Sequence, residues 1–310
     1  MQNLKHYITK KNICKIAKAF DTLIREKDNE MNVSEYADQL HLSENAKNAL
    51  KECRLSDEKT TQFIRYLLSD DVQLHTLFDG CTPIECLLLC LWIANETKRQ
   101  YKKRGLPERY FWENLKDITL WCEDYEKRTG RPGLSEYEWI IRTLTLRLFR
   151  IGRLQYEPKE LQEEIHIDGK VYQKDLPILM IHIPAGEPLD YVKAKDSLHE
   201  AEFFFSNYFH FDYPIFYCRT WLLAPELIEL LPSNSHILQF QSLFQIVRSY
   251  KDPFRQAEER VFGSILDDVS MYPEKTTLQR NLKQCLLQGG CSYKGVGIWQ
   301  VQEKQKGQEE

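Results

Sequence analysis

The chain has 310 residues, of which 42% are hydrophobic, and a net charge of −4. That length accommodates two domains with a sizeable core, and so small a net charge excludes steering of the whole molecule toward DNA, RNA or anionic lipid. The longest strongly apolar stretch, residues 86–94, is far shorter than a bilayer span.

Residues 1 to about 147 read as almost wholly helical. Residues 4–24 alternate basic and apolar side chains at helical period. Their start, MQNLKHYITKKN, lacks the apolar core of a secretion signal. Residues 32–55 predict two short helices joined near His41, with Ser34 and Ser43 as N-caps. Longer helices follow over 57–77, 83–103 and 110–126, and a last one over 135–150 bridges into the second half. The 32–55 pair also admits a helix-turn-helix reading, with Asn45 and Asn48 as base readers and Lys47 and Lys51 on phosphates. Glu44 and Glu52 on the same helix oppose it, so a packed helical hairpin is favoured and nucleic acid is not an expected partner. The nine cysteines lack framework spacing and predict free thiols in a reducing cytoplasm. Cys86 and Cys90 share a helix face near Cys81, but no histidine or second cysteine pair completes a tetrahedral site, so no metal is expected.

The texture changes near Gly152. The segments RLQYEPKEL and EEIHIDGKVY alternate with period two, and Asp168-Gly169 signals a tight hairpin, since both central positions of such a turn need positive φ. Residues 177–252 then read strand, helix, strand, helix, strand. Strands are expected over 178–183, 215–223 and 245–252, with helices near 196–208 and 234–244. Ser197 and Glu200 have the spacing of a capping box, which starts the first helix at Asp196. Two helices and a final strand, GVGIWQV, complete the chain, and the polar tail from Gln302 is expected to fray. The domains are therefore drawn as 1–147 and 148–310, an all-α unit followed by a mixed, mainly antiparallel sheet with flanking helices, an α+β protein.

The segments RIGRLQYE, HIPAGEPLD, DSLHEAEFFF, CRTWLLAPELIELLP, SNSHILQF and TTLQR, in that order, resemble a group of bacterial acyltransferase-domain proteins. In that group a helical N-acyltransferase N-terminal domain precedes a domain similar to GCN5-related N-acetyltransferases. The resemblance implies transfer of an acyl group from an acyl-CoA or acyl-carrier-protein thioester to a small-molecule amine. It also implies that strands 178–183 and 215–223 splay apart around the donor. A strand N–H would then polarise the thioester carbonyl, and the next helix would offer its N-terminal amides to pyrophosphate. The donor contacts so implied are Ile183, Gly186, Lys193, Lys195, Ser197 and Asn234. The chain departs from the family pattern in two places: residues 185–197 hold a single glycine, and residues 234–244 hold no tyrosine to protonate a departing thiolate.

His182, near the end of its strand, is the residue type suited to a general base, against the plainer role of a core histidine. Glu187 is the alternative base, acting through water, against the role of a solvated loop carboxylate. Cys218 as nucleophile requires His182 on the same side of the strand gap, against the commoner role of a small buried hydrophobe. Arg153 and Arg280 lie in the family-like segments as clamps for a carboxylate or phosphate, or as partners of nearby acids. A non-catalytic protein binding a ligand or partner in the strand gap is the second functional class. A DNA-associated regulator is the third.

Overall fold

In the computed structural model the described residues are 32–68 and 73–301. The expected helix over 4–24 and the tail from Gln302 lie outside them. The chain divides into two compact units, Met1–Leu148 and Phe149–Glu310.

The first unit is helical: α1 (Val33–Gln39), α2 (Glu44–Glu52), α3 (Asp57–Leu68), a 3-10 turn (Leu74–Phe78), α4 (Pro83–Lys103), α5 (Glu108–Thr129) and α6 (Tyr137–Leu144). Helix α4 is its axis. Thr82 and Glu85 form a reciprocal capping box and Pro83 pre-sets the first turn. Residues 86–91 are all buried, so this half of the helix is enclosed on every side. Helix α1 starts two residues earlier than Ser34 implies. Asn32 is its cap, in a reciprocal box with Glu35, because an Asn-x-x-Glu spacing satisfies two backbone N–H groups at once. Ser43 caps α2 as expected, and its hydroxyl also donates to Glu126 at 2.6 Å.

Helix α6 stops at Leu144, short of the expected 150. The backbone turns at Leu146, with φ 55°, and Phe149–Ile151 becomes the first strand, β1. Tertiary pairing overrides helical period here. Ile151 faces Leu154 across the two-residue turn Gly152-Arg153, and Gly152 supplies the positive φ that such a turn needs at its first central position.

The second unit holds strands β2 (Leu154–Glu160), β3 (Ile165–Ile167), β4 (Lys170–Tyr172), β5 (Pro177–His182), β6 (Ile215–Thr220), β7 (Gln245–Lys251) and β8 (Tyr293–Gln300). Its helices are α7 (Tyr191–Phe209), α8 (His236–Gln241), α9 (Gln256–Phe262) and α10 (Thr277–Leu287). The main sheet has the order β1-β2-β5-β6-β8-β7, antiparallel except for the parallel pair β5–β6. Strands β3 and β4 form the expected hairpin, with positive φ at both Asp168 and Gly169. The β6 strand is shorter than the expected 215–223, because Trp221–Leu223 folds into a 3-10 turn. That turn lies directly over β8: a Cβ on Gly295 would fall 1.9 Å from the Leu223 carbonyl oxygen, so only glycine permits the approach.

The alternation of side chains gives the sheet two distinct faces. Ile178, Tyr217, Val296 and Ile298 form a cluster on one face, with Ile165 from the β3–β4 hairpin buried in it and Tyr172 packed against it. The other face meets α7. Tyr156 and Phe216 stack edge to face there, and Phe149 packs against Phe204, Phe205 and Phe209.

Candidate active site

Strands β5 and β6 pair at only three positions, Leu179 with Phe216, Met180 with Tyr217 and Ile181 with Cys218. Beyond them His182 pairs only with Gln155 of β2, while Arg219 and Thr220 pair only with β8. The β5–β6 ladder therefore ends at Ile181 and Cys218, and β6 runs on beside β8 alone. In open sheets the C-terminal end of the strands is where backbone groups face a ligand.

His182 stands just beyond the end of this ladder. It shares a face with Met180 and Tyr217, the hairpin-side face, and its side chain is about a quarter exposed. Its Nε2 lies 3.1 Å from Oε2 of Glu157, a β2 carboxylate that is 5% exposed. The second oxygen of Glu157 lies 3.0 Å from Lys159 Nζ. Glu157 was not among the residues singled out in the sequence. In a period-two strand it reads as one of the polar, solvent-side positions, and only the β2–β5 register buries it.

Cys218 is on the opposite face. It lies beside Ile181 in the parallel ladder and hence turns toward α7, away from His182. It is buried, and burial pushes its thiol far above the ordinary range. A Cys218–His182 nucleophile pair is excluded by strand parity, and Cys218 is a core residue.

The residues after β5 are organised from below by Arg153. Its guanidinium is buried and donates to three carbonyl oxygens, of Pro184 at 2.9 Å, Glu187 at 2.8 Å and Pro188 at 2.9 Å. It thus clamps the backbone of the post-strand turn, and neither an acid nor a phosphate is its partner. Burial opposes its charge and the nearby Glu187 carboxylate supports it. Ile183 follows the last ladder residue and is half-buried; Gly186 is exposed, with φ 91°. The Glu187 carboxylate is exposed and paired at 3.3 Å with the buried Arg150, which fixes it as a turn residue.

The expected start of the next helix is wrong by more than a turn. Helix α7 begins at Tyr191 with Asp190 as cap, accepting from the Lys193 N–H at 2.8 Å. The Ser197–Glu200 spacing has no capping role, because residues 191–196 are already helical. Ser197 is buried in the middle of α7. It donates to the Ile151 carbonyl at 2.5 Å, accepts from the Leu154 N–H at 3.2 Å and lies 2.8 Å from the Tyr156 hydroxyl. It therefore locks α7 onto the β1–β2 turn and is withdrawn from any ligand. Lys193 and Lys195 are exposed on the first turns of α7. Asn234 is exposed in the turn before α8, and its carbonyl accepts from Gln239.

Other candidates resolve into local roles. Arg280 donates to the Glu274 carbonyl and the Thr277 hydroxyl at its own helix start. Cys86 and Cys90 are buried in α4, and burial pushes the Cys86 thiol to about 12. Of the presumed DNA readers on α2, Asn45 donates to Glu126 at 2.7 Å and Lys47 pairs with Asp38 at 2.9 Å. Helix α2 is thereby tied into its own unit. No helix among the described residues is long and apolar enough to cross a membrane.

A cavity of about 560 Å³ lies at the other end of the β5–β6 pair, lined by Leu179, Phe205, Phe211, Tyr213, Phe216 and Glu202. Neither His182 nor the 184–190 turn contributes to its walls. The C-terminal end of the β5–β6 ladder, beside a histidine, is the better candidate for the chemistry.

A six-stranded mixed sheet with one parallel pair and a helix following that pair's first strand defines a protein with a GCN5-related acyltransferase fold. Residues 24–146 match the N-acyltransferase N-terminal domain and residues 148–299 the GNAT-like C-terminal domain. The chain belongs to the acyltransferase-domain proteins that join these two domains. It is similar in fold to an acyltransferase solved in complex with decanoyl-CoA and teicoplanin, with a TM-score of 0.69 and 19% identity over 95% of this chain and 96% of that one. A second structure, an acyltransferase in complex with decanoyl-CoA, gives 0.68 and 20% over 94% and 98%. A third, in complex with CoA and 10C-teicoplanin, gives 0.68 and 18% over 95% and 96%. No curated protein matches the chain.

Proposed function

We propose that the chain transfers an acyl group from an acyl-CoA or acyl-carrier-protein thioester to a small-molecule amine by direct attack. The observation that carries this reading is the end of the β5–β6 ladder at Ile181 and Cys218 with His182 just beyond it. The decanoyl-CoA held by fold neighbours supports a medium-chain donor. His182 takes a proton from the amine as its nitrogen attacks the thioester carbon. The N–H of Ile183, just beyond the ladder, faces the developing oxyanion. The C–S bond then breaks, and the thiolate leaves with the proton that His182 accepted, giving an amide and a thiol. Glu187, tied to Arg150, is the weaker base. Gly186, Lys193, Lys195 and Asn234 are the remaining candidates for donor contacts. A cytoplasmic location is part of this reading, supported by the thioester donor it invokes and the free thiols.

One observation favours a second reading. Asp190 already occupies the start of α7 that a CoA pyrophosphate would need. That supports either a carrier-protein thioester or a non-catalytic protein binding at the same ladder end.

Calorimetry against acetyl-, octanoyl- and decanoyl-CoA, with thiol release over an amine panel, tests the proposal. Binding of a medium-chain donor and amine-dependent thiol release are expected. No binding at millimolar concentration together with no release overturns it. His182→Ala separates the two readings: an enzyme loses turnover and keeps donor binding, whereas a binding protein has no turnover to lose.

A further inference from the structure

We infer that Glu157 is a positioning residue for His182, selecting the proton-bearing nitrogen of the imidazole and holding the ring in place. The inference rests on the reading of His182 as the base.

The geometry is set by the backbone. Gln155 pairs with His182 and Glu157 with Met180, so Glu157 is the diagonal neighbour of His182 on the same face. Both residues lie inside paired strands, which keeps their Cα positions from drifting apart. Oε2 of Glu157 is 3.1 Å from Nε2 of His182, and Oε1 is 3.0 Å from Lys159 Nζ. A carboxylate 5% exposed is costly unless charged or polar donors meet it. Lys159 is itself about half exposed and reaches back from solvent to one oxygen. The other oxygen meets the histidine.

An ionised carboxylate only accepts hydrogen bonds, so it holds the proton on Nε2. The lone pair is then on Nδ1, which makes Nδ1 the atom that receives the amine proton. When that proton arrives the imidazole becomes a cation, and the buried carboxylate stabilises it without itself being protonated. Nδ1 then returns the proton to the departing thiolate, and Glu157 and Nε2–H end as they began. Orienting partners of metal-bound histidines typically change activity by about ten- to a hundredfold, and a loss of that order is expected here.

The test uses the full-length chain with Glu157→Gln, Glu157→Ala, Glu157→Asp and His182→Ala, decanoyl-CoA as donor, and ¹⁵N spectra of the His182 ring. Wild type is expected to show the Nε2–H tautomer. Glu157→Ala is expected to lose its dominance and to lower kcat about tenfold or more, with decanoyl-CoA affinity within about twofold. Glu157→Asp keeps a carboxylate and should restore part of the rate. Glu157→Gln preserves shape where alanine fails to fold, and should lower kcat without changing donor affinity. An unchanged ring spectrum and unchanged turnover in Glu157→Ala overturn the inference. A tautomer shift in Glu157→Ala with no loss of turnover in either Glu157→Ala or His182→Ala has a different meaning. The pairing then stands, and the role of His182 as base is what falls.

Discussion

The two faces of the β2–β5–β6 segment use their polar groups in opposite ways. On the α7 side, Ser197, Tyr156 and Cys218 are sealed. The serine hydroxyl is spent on an N–H, a carbonyl and a phenol, and the thiol is held protonated by burial. On the hairpin side, His182 is partly open to solvent and meets another titratable side chain, Glu157. Adjacent residues of β2, Tyr156 and Glu157, thus turn to opposite faces, one sealed against α7 and the other paired with His182, and strand parity makes that division.

The comparison predicts large stability losses with no catalytic signature wherever a buried polar group is spent on backbone. Arg153 is the strongest case. Arg153→Ala strands three carbonyl acceptors of the 184–188 turn, at about 3–5 kcal/mol in all. For a unit of this size that lowers Tm by roughly 10 °C, measurable by calorimetry. A loss under 1 kcal/mol would mean that the turn after β5 is held by something other than this guanidinium.

Ser197→Ala tests the sealed face directly. It removes the partner of the Leu154 N–H and the Tyr156 hydroxyl and costs about 1–3 kcal/mol. Donor affinity and kcat should stay within about twofold. A selective rise in donor KM at unchanged stability would return Ser197 to the ligand site and break the contrast between the faces.

The limits of the sequence have the same origin. The helices over 83–103 and 110–126, the Asp168-Gly169 hairpin and the closing strand were legible, because caps, turns and periodicity are local, whereas the helix expected over 57–77 ends at Leu68. Helix α6 was overextended because Phe149–Ile151 joins a sheet whose partner comes later in the chain. The α7 start was misplaced because a good capping spacing at Ser197 outweighed Asp190, although Pro188 two residues before it was a usable signal. His182 was singled out from its place at a strand end. Glu157 was not, since a carboxylate on a period-two strand looks solvated until the register is known. The sharing of a face by Cys218 and His182 was an open question in the sequence, and the parallel register answers it.

Cys218 gives a smaller, pH-dependent test. Its folded-state thiol is raised by burial, so the folded chain retains a proton that the unfolded chain releases. The associated stability is fully present below the unfolded value of about 8.5 and is lost as pH rises above it, at about 1.4 kcal/mol per pH unit. Cys86 and Cys122, both raised to about 12, contribute in the same direction from the first unit. The Cys218 share is the difference in alkaline denaturation between wild type and Cys218→Ala. Equal pH slopes, or rapid alkylation of Cys218 in the native chain, would show that the sealed face is open.

Asp190 is where holding the fold and binding a ligand compete for the same atoms. Its carboxylate caps α7 by accepting the Lys193 N–H, and an anionic donor group would need that same N–H. Asp190→Ala should cost about 1 kcal/mol of stability through the lost cap. If the donor carries its phosphates to this helix, the same change tightens decanoyl-CoA, because a repelling charge leaves and an amide is released. The two effects then have opposite signs in one variant, read by thermal unfolding and by calorimetry. Weaker decanoyl-CoA binding would instead mean that the capped helix start is the binding-competent form. Unchanged binding would place the donor's phosphates elsewhere and leave the end of the β5–β6 ladder as the only part of the site that the donor must touch.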